Sequence, residues 1–167
     1  MKKILETPRL YLRELCTDDA EHFYRLNLNP NVIRYTGNTA FASVAEARKF
    51  LENYDDYQRN GYGRWAVMEK ASETFVGWCG LKYDEVTRET DIGFRFFEDQ
   101  WNKGFATESA VACIRYGFEK LGLTTITGRA MCANTASIRV LEKAGLQRTG
   151  EFDFDSEQRG VLYKIRF

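Results

Sequence analysis

Between residues 63 and 132 the spacing of apolar residues changes from a period of two to one of about 3.6 and back, and this constrains the fold more than any other feature. "GRWAVMEK", "TFVGWCGLKYDEV" and "ETDIGFRFFE" are rich in aromatic and β-branched residues and are separated by short polar turns such as "ASE" and "TRE". Such a series reads as an antiparallel meander. Ala106, Ala110, Cys113, Ile114, Gly117, Phe118 and Leu121 then recur at helical spacing, and Gly122 supplies a stop. "TTITGRAMC" (124 to 132) returns to strand character. The strand of 90 to 97, the helix of 106 to 121 and this strand form a β-α-β crossover, which puts two parallel neighbours into a mixed sheet.

The flanks extend the pattern. "RLYLREL" (9 to 15) reads as a strand, and "DDAEHFYRLNL" as a helix of 18 to 28 opened by a capping box of Asp18 and Glu21. "SVAEARKFLENYDDYQRNG" reads as one helix capped by Ser43 and Glu46 and ending at Gly61. "NPNVIRYTGNTAF" between them is a turn-rich connection of the kind that carries binding residues. A short helix ending at Gly145 and two strands, "LQRTGEFDF" and "GVLYKIRF", close the chain. The expected order is β-α-α-β-β-β-α-β-α-β-β: an α+β, mixed α/β architecture with a mostly antiparallel seven-stranded sheet and about four helices. With 167 residues, 44% of them hydrophobic, residues 1–167 make one domain around one core.

Composition removes several function classes. Lys+Arg and Asp+Glu are both 24, with no concentrated basic run, which disfavours a general nucleic-acid binder. The N-terminal "MKKILETPRL" has no apolar region of signal-peptide length, and no stretch is long and apolar enough to span a bilayer, so no membrane partner and a cytoplasmic location are expected. Cys16, Cys79, Cys113 and Cys132 are irregularly spaced and His22 is the one histidine, so neither a metal site nor a disulfide framework is expected. The cysteines read as small buried hydrophobes and His22 as a surface helix residue. Homodimerisation through exposed members of the nine tyrosines and twelve phenylalanines is compatible with this composition.

The joint between the meander and the long helix, "QWNKGFATESA" (100 to 110), is the most informative stretch for function. It joins the C-terminal end of a sheet strand to a helix N-terminus, where unbonded N–H groups and the helix dipole favour an anion. Gly104 permits close approach or a positive φ, Ala106 leaves the first turn unobstructed and Lys103 adds charge. A tight turn beside a solvated lysine would look the same. Neither G-x-x-x-x-G-K-[ST] nor G-x-G-x-x-G occurs. Downstream, Asn134 is a natural N-cap with Ser137 in the first turn of its helix.

Taken together, the element order, "W-x-x-G-x-A" at 101 to 106 and "N-x-x-S-x-x-V-L-E-K-A-G" at 134 to 145 resemble the GNAT superfamily of acetyl-CoA-dependent N-acetyltransferases. "ETPRLYLREL", "WNKGFATE" and the second motif are most similar to the branch containing the ribosomal-protein N-terminal (alanine/serine) acetyltransferases and spermidine-type relatives. The resemblance implies that Trp101, Asn102, Lys103, Gly104, Phe105, Ala106 and Thr107 hold a coenzyme pyrophosphate, and that Asn134 and Ser137 adjoin the coenzyme. Asn102 stands where the branch commonly has glycine.

The resemblance further implies direct attack of a primary amine, a peptide N-terminus or a small molecule, on the thioester in a ternary complex. A backbone N–H near Phe96 would bond the thioester oxygen where two parallel strands splay. Asp91, with Glu89 as a second candidate, takes the general-base position, Ser137 adjoins the coenzyme sulfur, and Tyr35 in the connecting loop contacts the acceptor. The tyrosine that many members place seven residues after the motif asparagine is here Leu141. That departure leaves a catalytically silent, coenzyme-binding sensor as the alternative. Glu151 and Asp153 either attract a cationic acceptor or are solvated turn charges.

Overall fold

The computed structural model describes residues 2–167. A meander of four antiparallel strands follows a short N-terminal one: β1 (Lys3–Glu6), β2 (Leu10–Glu14), β3 (Arg64–Glu69), β4 (Thr74–Asp84) and β5 (Glu89–Phe96). β6 (Thr125–Met131), β7 (Gln147–Asp153) and β8 (Arg159–Arg166) complete one sheet in the order β1-β2-β3-β4-β5-β6-β8-β7. Among the described residues only β5 and β6 run parallel, as the crossover requires.

Between them lies α5 (Phe105–Leu121), bounded at both ends by left-handed glycines, Gly104 (φ 81°) and Gly122 (φ 67°). Its apolar stripe of Phe105, Ala110, Cys113 and Ile114 packs with Leu81, Ile92, Phe96 and Ile126 of the sheet. α6 (Thr135–Lys143) shares that core through Leu141, which fills the space over Gly128. α1 (Ala20–Leu28) and α3 (Val44–Glu52) cover a second core of Phe23, Ala47, Leu51, Ala66, Met68 and Phe75.

The parallel pairing is short. Asp91 lies opposite Thr127 and Ile92 opposite Gly128, after which β5 continues to Phe96 while β6 pairs with β8 alone. A gap therefore opens between β5 and β6 at the end from which the chain enters α5.

The sheet has eight strands rather than seven. β1 is only four residues long, too short for an alternation to register, and it is set against β2 by a turn in which Thr7 N–H bonds Leu10 C=O at 2.9 Å. The helix expected over 43–61 is two, α3 and α4 (Asp56–Asn60), separated at residues 53–55. Ser43 caps α3 as expected, with Glu46 reaching back to the Ala42 N–H, and Gly61 (φ 78°) ends α4. One turn, α2 (Pro30–Ile33), sits inside the expected 29–41 loop, with Asn29 as its cap and Pro30 at its first position.

The Asp18/Glu21 box is not formed. Asp19 instead accepts from the Cys16 N–H at 2.9 Å and pairs with buried Arg13 at 2.7 and 2.8 Å, because only Asp19 faces inward. Cys79 and Cys113 are buried, Cys16 is intermediate and Cys132 exposed, so two of the four cysteines depart from the buried expectation. His22 is half-buried, stacked on Phe75 with centroids 4.8 Å apart. Among the described residues no helix is long and apolar enough to cross a membrane, and no cluster of His, Cys, Asp or Glu has the makings of a metal site.

Candidate active site

The loop after β5 is built to leave backbone donors unspent. A 3-10 turn at Glu98–Gln100 leads into Trp101, then Asn102 (φ 60°) and Gly104 (φ 81°) both adopt the left-handed conformation. Asparagine tolerates that region better than other residues with a Cβ, so Asn102 can take a position where the resemblance leads one to expect glycine. Gly104 is the N-cap of α5 and offers no side-chain cap, and the first ladder bond it accepts comes from Glu108 N–H at 2.9 Å. The N–H groups of Phe105, Ala106 and Thr107 are thus unspent among the described residues, at the positive end of a 17-residue helix.

A network from the opposite end of the chain holds the loop in place. Glu108 accepts from Thr7 Oγ1 at 2.6 Å, from Arg9 N at 3.1 Å and from Arg9 Nε at 2.7 Å, and Arg9 Nη1 donates to the Lys103 carbonyl at 2.9 Å. Burial pushes the Glu108 carboxyl up, but the Thr7 and Arg9 hydrogen bonds outweigh it and hold it below its ordinary value. "ETPRL" is thereby a strut for the loop. Sequence reading missed this role, since the partners are about a hundred residues apart.

The gap beside β5 has its own donor. Phe97 N–H bonds Val76 C=O on β4 at 3.1 Å, so the alternation of an antiparallel pair turns the Phe96 N–H and C=O away from β4, toward the splayed edge. Trp101 Nε1 takes the Phe96 carbonyl at 3.0 Å, which leaves the N–H. The tryptophan therefore ties the loop to the strand end.

A cavity of about 540 Å³ joins these parts. Tyr35, Phe96, Trp101, Asn102, Gly104, Phe105, Ala106, Thr107, Asn134 and Ser137 all line it, so ten of the twelve expected site residues share one space. Asn134 caps α6 by accepting from Ser137 N–H at 3.2 Å, while the Ser137 hydroxyl has no partner among the described residues. Lys103 is outside the lining; its ammonium bonds Gln100 Oε1 at 3.0 Å.

Asp91 is not brought to this cavity. Strand alternation puts it with Gly93 and Arg95 on the face opposite Ile92 and Phe96, and it lies four residues before Arg95, the member of that face that reaches the cavity. Its carboxylate is held by Arg64 Nη2 at 3.0 and 3.2 Å, and the Arg64 guanidinium lies flat where a side chain on Gly93 would clash. Burial works against the Arg64 charge, but Asp91 outweighs it and raises the Arg64 pKa. Glu89 is likewise engaged, with Lys164 at 3.0 Å. Both acids line a different cavity, of about 460 Å³. Glu151 is paired with Arg148 and Arg159 and Asp153 with Arg159, all on the β7–β8 hairpin, and neither lines the main cavity.

The charged residues that do line it are all basic: Arg34, Arg95, Arg139 and Lys143. Arg95 is held by the amide oxygens of buried Asn27 and of Asn38 (2.9 Å) and rests on the Trp78 ring at 5.3 Å. Burial, with the Arg64 charge beside it, pushes its pKa down to about 10.

Comparison with known proteins agrees with this geometry. The model of the acetyltransferase (GNAT) domain matches residues 9–147. The chain is 32% identical over 165 residues to the uncharacterized N-acetyltransferase YoaA of Bacillus subtilis, covering 98% of this chain and 93% of that one. A GNAT-family acetyltransferase from Bacillus anthracis superposes with a TM-score of 0.84 at 25% identity, over 99% of this chain and 98% of the other. Spermidine N-acetyltransferase from Vibrio cholerae, solved with CoA and spermine, shares the fold with a TM-score of 0.79 at 22% identity, over 96% of each chain. A splayed parallel pair, an uncapped helix start aimed into the gap and relatives matched along nearly their whole length lead to one assignment: this chain belongs to the GNAT family of acetyltransferases.

Proposed function

We propose that the chain is an N-acetyltransferase that moves the acetyl group of acetyl-CoA to a primary amine by direct attack in a ternary complex. The observation that carries this reading is the single cavity that unites the unspent N–H groups at the start of α5, the splayed edge of β5 and the Asn134–Ser137 turn. In it the N–H groups of Phe105, Ala106 and Thr107 receive the pyrophosphate, and Arg139 and Lys143, one turn apart on α6, add positive charge. The Phe96 N–H donates to the thioester oxygen and stabilises the oxyanion that develops there.

The amine lone pair forms the new C–N bond as the C–S bond breaks, and the Ser137 hydroxyl, unpartnered among the described residues, donates a hydrogen bond to the departing sulfur. Tyr35 borders the acceptor. Among the described residues no carboxylate lines the cavity, and Asp91 is committed to Arg64, so we assign Asp91 a positioning role through Arg64 and leave removal of the amine proton to solvent. An α-amine with a pKa near 7.7–8.0, partly neutral at physiological pH, suits such a site better than a lysine-like amine. A peptide N-terminus, as in the ribosomal-protein branch, or a small α-amine meets that requirement.

Isothermal titration of acetyl-CoA into the wild type and Gly104→Glu tests the site. The reading expects binding by the wild type and a loss of more than about tenfold in the variant, through a like charge at the pyrophosphate position. Equal affinity would remove the loop from the account. Leu141, buried in the core at the position where the family resemblance implies tyrosine, favours a second reading, a silent coenzyme sensor. Tight binding with no thiol release from any amine would support that one.

A further inference from the structure

We infer that the acceptor carries an anionic group, a carboxylate or a phosphate, a few bonds from its amine, and that Arg95 recognises it. This rests on the acetyltransferase reading and names the acceptor class of that site.

Arg95 lies on β5 one residue before Phe96, whose N–H marks the thioester position, but its side chain leaves the opposite face of the strand. There it meets Asn27 of α1, Asn38 of the loop after α2, and Trp78 of β4. The coenzyme phosphates are placed at the start of α5, on the other face, so Arg95 is not one of their partners. It lines the same cavity as Arg34, Tyr35 and Thr36, and its partner Asn38 lies two residues after Thr36 in the same loop.

The environment of Arg95 is unusual for a half-buried guanidinium. Its neighbour Arg64 has Asp91 as a counter-ion, at 3.0 Å. Arg95 has no carboxylate among its described partners, only two neutral amide oxygens and an aromatic face. Of the five N–H donors a guanidinium carries, those two bonds use two. Taking even part of a cation out of water is costly unless an anion meets it, and the remaining donors of the planar guanidinium suit a carboxylate or phosphate. No acidic side chain lines the cavity to do this, and Glu151 and Asp153 are already neutralised by Arg148 and Arg159. The acceptor supplies the missing charge.

A second consequence bears on the chemistry. A fixed positive charge beside the acceptor disfavours its ammonium form, so Arg95 lowers the pKa of the bound amine. That provides neutral nucleophile in a cavity with no carboxylate to remove the proton. The same field opposes a polyamine, which brings only positive charge.

The test needs no variant at first. Acetyl-CoA-dependent thiol release is measured for the wild type with glycylglycine against glycylglycinamide, amines of similar basicity that differ in one carboxylate. O-phosphoethanolamine against ethanolamine forms the phosphate arm, with spermidine as the polycation. The inference expects kcat/KM to be higher for the anionic member of at least one pair by about tenfold or more, the scale of one charge-assisted hydrogen bond, and lowest for spermidine. Which pair shows the preference tells carboxylate from phosphate. In Arg95→Gln the preference collapses through KM for the anionic acceptor, and Arg95→Lys, which keeps the charge without the fork, restores part of it.

Equal rates within both pairs, or a preference for spermidine, would overturn the inference while leaving the acetyltransferase reading standing. A preference that survives in folded Arg95→Gln would overturn Arg95 as its source. Thiol release from none of these amines, with acetyl-CoA bound, would overturn the inference, and release that then appears with longer peptide N-termini would leave the acetyltransferase reading standing.

Discussion

Replacing Glu108 by alanine separates two things that the strut between the β1–β2 turn and the α5 loop does. The carboxylate is mostly enclosed, 17% exposed, and receives Thr7 Oγ1, Arg9 N and the Arg9 guanidinium, the last 49% exposed. The first two bonds contribute about 1 kcal/mol each, and the half-exposed ion pair about 0.5–1 kcal/mol after solvent screening. The expected loss is about 2–3 kcal/mol, or roughly 5–10 °C in Tm for a chain of this size.

Arg9 would also lose the anchor that aims its Nη1 at the Lys103 carbonyl, so the loop would have to order on binding acetyl-CoA. Fixing even one residue costs about 1–2 kcal/mol, which converts to a Kd for acetyl-CoA raised about tenfold. Thermal unfolding and isothermal titration on the same preparation read both quantities, with Glu108→Gln expected between the two. A lowered Tm with Kd unchanged within about twofold would refute the strut, because the loop would then hold its shape alone. An unchanged Tm would refute the energetics.

Three other outcomes follow from the same contacts. Asp19→Ala strands the buried Arg13 guanidinium and should cost about 3–5 kcal/mol of stability by denaturant unfolding, far more than any loss in turnover of folded protein. Asp91→Asn should lower stability by loosening Arg64 but leave the shape of the pH–rate profile intact; a lost low-pH limb would restore Asp91 as the base. Burial holds the His22 imidazole below its ordinary 6.5, against the pull of Asp19, so the unfolded chain takes up the proton first as pH falls. Stability should therefore decline as pH drops below about 6.5, and His22→Phe should flatten that slope in Tm scans; a slope of opposite sign would contradict the burial argument.

The parts of the fold written in local periodicity were legible. The meander, α5 and the parallel pair follow from alternation giving way to a helical stripe, and the positive φ of Gly104 and the cap of Asn134 follow from residue type. β1 was missed because four residues hold too little alternation, and the break between α3 and α4 because helix-compatible residues fill it. At the site, backbone features were the most legible: topology put the loop at a helix N-terminus, the family resemblance pointed to Phe96, and both line the same cavity.

Side-chain roles carried over worst, since they depend on distant partners. Asp91 cannot be read as paired without knowing that Arg64 crosses β4 to reach it, nor Glu108 as a strut without Thr7 and Arg9. One signal was present all along. Counting in twos along β5 puts Asp91, Gly93 and Arg95 on one face and Ile92, Phe94 and Phe96 on the other, which separates the carboxylate from the packed face.

The most direct test of the central claim is thiol release from acetyl-CoA by the wild-type chain with a primary α-amine present, compared with the same sample without amine. An acetyltransferase gives release that depends on the amine and saturates with it, accompanied by one acetylated amine per thiol. Acetyl-CoA bound with no amine-dependent thiol, across peptide N-termini and small amines alike, would contradict it.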